Sequence, residues 1–183
     1  MTARVLVLLL ASAPYCAPAA EDACRAQLPA SLVSVLNRDF GTARLPLVSD
    51  NLAEDIKFNK SRGGSGCLGV AIGDFDGNGE KDFAVGLTPA KGGAPIVVVA
   101  LANQGGWRLQ PIKSWVDHRN RLYVDVAPPG RANRTPAAEG PLKPGERKSM
   151  RCAHEGVVVG ATESTAIVYC LLNGKWFYVW VSD

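Results

Sequence analysis

The stretch Val70-Ala71-Ile72-Gly73-Asp74-Phe75-Asp76-Gly77-Asn78-Gly79-Glu80-Lys81-Asp82-Phe83-Ala84-Val85-Gly86 decides how the rest of the chain is read. An apolar run over Cys67–Gly73 leads into it and a second, Asp82–Leu87, leads out. Both are too short for helices and have the apolar content of strands. Between them the side chains turn acidic and the glycines crowd together. Counting from Asp74, oxygen-bearing side chains fall at the first, third, fifth and ninth places: Asp74, Asp76, Asn78 and Asp82. Gly79 at the sixth place permits a sharp turn, and Glu80 at the seventh can offer its main-chain carbonyl. Alternate spacing aims Asp74, Asp76 and Asn78 at one point while Phe75 and Gly77 face away. Hard cations select such a cage of oxygens. An ordinary Asp- and Gly-rich turn explains the glycines, but it has no need for three converging carboxylates, which repel one another unless a cation or solvent relieves them. The pattern predicts a calcium loop between two strands.

That loop is not an EF-hand. Its twelfth place is Val85, where an EF-hand carries a bidentate Glu, and its flanks are strands. Val70–Gly79 followed by Asp82–Gly86 instead resembles a single FG-GAP (VCBS-type) repeat. That family sets a D-x-D-G-[DN]-G-x-x-D calcium loop between two strands, as in integrin α-subunit propellers and many bacterial secreted proteins. The resemblance covers about residues 67–105 and implies Asp74, Asp76, Asn78 and Asp82 as side-chain ligands and Glu80 as a main-chain ligand. Only one acidic loop is present, and a single blade cannot close a ring, so a full propeller is not expected.

Working outward, the N-terminus reads as an export leader. Arg4 is followed by the apolar run Val5–Ala11 and then by Ala17-Pro18-Ala19, the order that a signal peptidase requires. The run is far shorter than the roughly 20 residues of a membrane span. Residues 1–19 are therefore expected to be removed, leaving residues 20–183 as one domain. With Arg4 gone, Lys and Arg fall from 20 to 19 against 17 Asp and Glu. So small an excess gives no case for nucleic acid. The basic residues between Arg119 and Arg151 read as a solvated loop.

The body keeps Cys24, Cys67, Cys152 and Cys170. An even number in an exported chain argues for two disulfides. Val157–Val159 and Ala166–Tyr169 read as a hairpin that turns near Ala161–Ser164, which brings Cys152 close to Cys170. Cys24–Cys67 follows by elimination. No C-x-x-C pair favours zinc.

Leu28, Leu32, Val35 and Leu36 recur at helical spacing and predict a helix from about Ala30 to Asn37. Asp50 or Asn51 can cap a second short helix, with Glu54 and Asp55 in its first turns. Further strands are expected at Pro95–Leu101, Trp107–Ile112, Arg121–Val126, Gly156–Gly160, Ala166–Leu172 and Lys175–Val181, the last two joined by Asn173-Gly174. The expected fold is α+β: one or two N-terminal helices, then a mostly antiparallel sheet of about eight strands. Five prolines and three glycines between Ala127 and Arg147 read as a long surface loop.

Two further features bear on function. His118 and His154 are the two histidines, and a small secreted hydrolase would have to use one of them. No nucleophile-elbow pattern accompanies them. On the last strand Trp176, Tyr178 and Trp180 share one face, an aromatic strip able to grip a protein or glycan partner if it is exposed. The sequence thus points to a periplasmic or secreted, non-enzymatic binding or envelope-associated module with a structural calcium site. Its size and stable build suit an inhibitor or immunity-type factor, and the hydrolase is the rival reading.

Overall fold

The computed structural model describes residues 21–89, 94–114 and 120–182. The expected leader and His118 lie outside the described residues. Helix α1 spans Ala30–Asp39 and α2 Ala53–Ser61. Eleven strands accompany them: β1 (Ala43–Arg44), β2 (Val70–Gly73), β3 (Asp82–Pro89), β4 (Ile96–Asn103), β5 (Gly106–Ser114), β6 (Leu122–Ala127), β7 (Gly130–Asn133), β8 (Ser149–Cys152), β9 (Gly156–Ala161), β10 (Ala166–Leu172) and β11 (Lys175–Ser182).

These strands form a sandwich with a cover on each outer face. One sheet runs β1-β3-β4-β5, with β2 also paired to β3. The other runs β11-β10-β9-β6. Their inner faces meet through Phe75, Val97, Val99, Val124, Val157 and Ile167. The outer face of the first sheet is covered by α1, where Leu32 and Leu36 pack on Val85, Val98 and Ala100. The outer face of the second sheet is covered by a separate β7–β8 ribbon, through Met150, Cys152, Val168, Cys170 and Val179. β4 shows why a continuous apolar run was needed: Val97, Val99 and Leu101 point into the sandwich, Val98 and Ala100 toward α1, and all five are essentially inaccessible.

The expectation of an α+β fold with a single sheet of about eight strands is corrected. Among the described residues eleven strands are divided among five-, four- and two-stranded antiparallel sheets, with two short helices, and the fold is mostly β. Alternation along a strand reveals that it has two faces but not which strand lies beside it. The break between β5 and β6, where pairing passes from one sheet to the other, therefore leaves no local mark. Local turn chemistry does hold. Asn173 and Gly174 both take positive φ, 51° and 74°, in the two-residue turn that sets Leu172 opposite Lys175. The caps expected for α2 are used differently. Asp50 pairs with Arg44, and Asn51 Nδ2 donates to Leu122 O at 2.7 Å, tying the start of α2 to β6.

The 127–147 segment is also corrected. It is not one long loop: it contains β7, whose partner β8 lies just beyond it. The remainder folds around the buried Glu146 carboxylate, which accepts from Arg134 Nε at 2.8 Å and from the Lys143 N–H at 2.9 Å. It then runs along the outer edge of β11. The Thr135 N–H bonds Trp180 O, the Tyr178 N–H bonds Gly145 O, and the Arg147 N–H bonds Tyr178 O, all at 2.8–3.0 Å. Prolines and glycines bend this segment but leave enough N–H groups to border a strand.

Both expected disulfides are present, Cys24–Cys67 and Cys152–Cys170. Two such bonds fit an oxidising, extracellular location. Among the described residues no helix is long and apolar enough to cross a membrane.

Candidate metal centre

The acidic turn lies at the end of the β2–β3 hairpin, closed by the Gly73–Asp82 pair. Phe75 is its anchor. The ring is 1% exposed in the inter-sheet core, which fixes the first half of the turn to the sandwich. From there the backbone wraps around its own carboxylates. Asp74 accepts the Gly77 N–H at 2.8 Å and the Gly79 N–H at 3.0 Å. Asp76 accepts the Asn78 N–H at 3.2 Å. Gly77 and Gly79 take φ of 78° and 82°, a conformation that side-chain-bearing residues seldom adopt.

Asp82 is the innermost member and is fully buried. Its two oxygens accept the Ala102 N–H at 2.7 Å and the Phe75 N–H at 2.8 Å, joining the turn to the end of β4. Burial pushes its carboxyl up. The N–H groups of Ala102 and Phe75 pull it down and the charge of Asp76 pushes it up again, and the net direction is upward.

Asp74, Asp76 and Asp82 each place a carboxylate oxygen within 4.8 Å of the others. No Lys or Arg among the described residues pairs with any of the three. At that separation each pair of charges repels by roughly 1–3 kcal/mol, between water-like and protein-like screening. The donor set consists of hard oxygens, so a hard divalent cation fits it and a thiophilic metal does not.

The other two predicted ligands have additional tasks. Asn78 Oδ1 accepts the Glu80 N–H at 2.7 Å, and Asn78 Nδ2 donates to Ala102 O at 2.8 Å. Asn78 thus braces the turn against β4, and Glu80 is held through its main chain.

No family model, curated protein or solved structure matches the chain. The site is therefore read from its own chemistry.

The segment after β8 is a neighbour that sequence reasoning did not place here. Glu155 Oε2 accepts the Asp74 N–H at 2.7 Å, across 81 residues of sequence. The exposed His154 ring lies over Gly77, where an added Cβ would fall 2.1 Å from Cε1. Among the described residues the His154 ring has no hydrogen-bond or ion-pair partner, so no acid orients it as a catalytic base would require. Only proximity in the fold joins these residues to the turn, and no local signal could have revealed it.

Trp176, Tyr178 and Trp180 are half-buried and face the first sheet. Trp176 Nε1 donates to Gln110 Oε1 of β5 at 2.6 Å. Tyr178 tilts against Tyr169 with ring centres 5.3 Å apart, and the Lys113 ammonium lies 5.5 Å from the Trp180 ring centre. The predicted strip is thus drawn into the seam between the sheets.

Proposed function

We propose that this chain is an exported, non-enzymatic binding or envelope-associated module, periplasmic or secreted, whose Asp74–Asp82 turn holds one structural calcium ion. The observation that carries the reading is the convergence of three carboxylates with no Lys or Arg among the described residues paired to them. The ion would be held by Asp74, Asp76 and Asp82, joined by Asn78 Oδ1 and the Glu80 carbonyl as the FG-GAP-type resemblance implies. Its chemistry there is that of a cross-link. It neutralises like charges and ties the β2–β3 turn to β4 through Asp82. Two disulfides support the exported location, and a disulfide-braced, metal-braced body of this size suits an inhibitor or immunity-type factor that acts on a partner protein.

The test is thermal unfolding of the mature protein in millimolar calcium and in chelator. At a calcium concentration 100 times Kd, stabilisation of about 2.7 kcal/mol is expected, which for a chain of this size raises Tm by about 5–10 °C. Asp76→Ala should abolish the difference, because Asp76 belongs to the cluster but is not buried in the core. Identical transitions in calcium and chelator would remove the metal from this reading.

A further inference from the structure

A second site lies away from the acidic turn. Between α2 and β6 opens a cleft of about 850 Å³, within the range of ligand-binding cavities. Among the described residues, four carboxylates line it, from Glu54, Asp55, Asp125 and Glu163, against one lining cation, Arg62. Arg62 lies over the Phe58 ring, 5.6 Å from its centre. Arg121 sits nearby, 3.1 Å from Glu163 and 4.0 Å from Glu54. Arg121 thus balances Glu54 and Glu163, while the buried Asp55 and the exposed Asp125 have no cation among the described residues.

Asp55 is the decisive residue. It is 8% exposed. Its Oδ2 accepts the Thr162 hydroxyl at 2.6 Å, while Oδ1 has no hydrogen-bond partner and no cation among the described residues. Burying a carboxylate beside a neutral hydroxyl is costly without a countercharge. The N-terminal turn of α2 offsets part of that cost, because Asp55 sits at its third residue. Asp55 is one of the residues that line the cleft.

Asp125 adds a second carboxylate that has no cation among the described residues; its Oδ1 accepts the N–H of its neighbour Val126. Tyr123 supplies a ring wall. Gly160 admits that ring, since an added Cβ would fall 2.5 Å from Tyr123 Cε1. Leu68 gives an apolar patch within the same lining.

We propose that this cleft binds an ammonium or guanidinium group carried on an aliphatic stem, with Asp55 and Asp125 taking the charge and Tyr123 and Leu68 flanking the stem. Such a group occurs on a Lys or Arg side chain of a partner polypeptide and on a free diamine. The proposal deepens the binding-module reading and rests on it, since it names the chemistry that the module would recognise.

The experiment is calorimetric titration of the mature protein with three probes: a short Lys- and Arg-containing peptide, the same peptide with Nε-acetylated lysine and citrulline in place of arginine, and 1,5-diaminopentane. The charged peptide should bind, its neutral counterpart should bind at least tenfold more weakly, and raised salt should weaken the charged peptide alone. Binding of the diamine at equal strength identifies the source as a small amine; binding of the peptide alone identifies it as a polypeptide. Asp125→Asn, at an exposed position that leaves the fold intact, should weaken binding at least tenfold, and Asp55→Asn should do so again if its Tm is retained. No heat with any charged probe, or equal binding by Asp125→Asn, overturns the proposal. If Tm still responds to calcium in that case, the calcium-stabilised reading stands and only the cleft is lost.

Discussion

Helix α1 and the β7–β8 ribbon do the same job on opposite outer faces of the sandwich, and each is pinned by one disulfide. Cys24, just before α1, bonds Cys67, just before β2; Cys152, ending β8, bonds Cys170 in β10. The two covers differ in how they satisfy their backbones. A helix pairs its N–H and C=O groups within itself, so its apolar stripe is written locally at Leu32, Val33 and Leu36. The ribbon depends on pairing between two four-residue strands separated by the whole Glu146-centred segment. The lesson is that a cover can be as well anchored as a helix and still look like a loop in composition.

Removing the two staples should give the largest effects and tests the comparison directly. The Cys24–Cys67 bond spans 43 residues and the Cys152–Cys170 bond 18. By loop-closure entropy alone, replacing each pair with serine should cost about 4 and about 3 kcal/mol respectively. Urea unfolding of the two double mutants measures this. A larger loss from the Cys152/Cys170 variant would show that the ribbon depends on its staple beyond chain entropy, and so break the parallel between the covers.

Next in size is Glu146→Gln, which removes the charge at the centre of the 134–147 segment but keeps the side-chain shape. A hydrogen bond to a charged group is worth about 1.5–3 kcal/mol, and a loss in that range is expected. Burial pushes the Glu146 carboxyl up, but the Lys143 N–H and the Arg134 guanidinium more than offset this, so the net direction is below its ordinary value of 4.5. A group depressed on folding stabilises above its unfolded value and loses that contribution as pH falls through the folded one. The stability gap between the wild type and Glu146→Gln should therefore be full at neutral pH and close progressively below about 4.5. A gap that stays constant down to acid pH would show that the ion pair does not hold the segment.

The smallest effect is expected at the seam between the sheets. Trp176→Phe keeps a ring but loses the bond to Gln110, worth about 1 kcal/mol. A loss several times larger, read from the same urea transitions, would mean that the aromatic seam and not the two covers holds the sheets in register.

Particular residues show how much of this architecture was legible. The eight expected strands all occur, because Val- and Ile-rich runs such as Ile96–Leu101 must be buried on both faces wherever they pair. The acidic turn was legible because its geometry is set within nine residues, and the disulfide pairing because the β9–β10 hairpin brings Cys152 to Cys170. What stayed hidden depends on contacts between distant segments: the division into two sheets, the pairing of β7 with β8, and the grip of Glu155 on Asp74. The cleft beside α2 belongs to the same class, since Asp55 and Thr162 are 107 residues apart.

The strap that runs along β11 has a consequence for behaviour in a crowded solution. A final strand with free N–H and C=O groups would be a template on which another copy could add its own strand and begin a fibre. Here Thr135, Gly145 and Arg147 occupy those groups first. A protease that nicks the segment between Thr135 and Gly145 would therefore do more than trim a surface: it would uncover an adhesive border along β11.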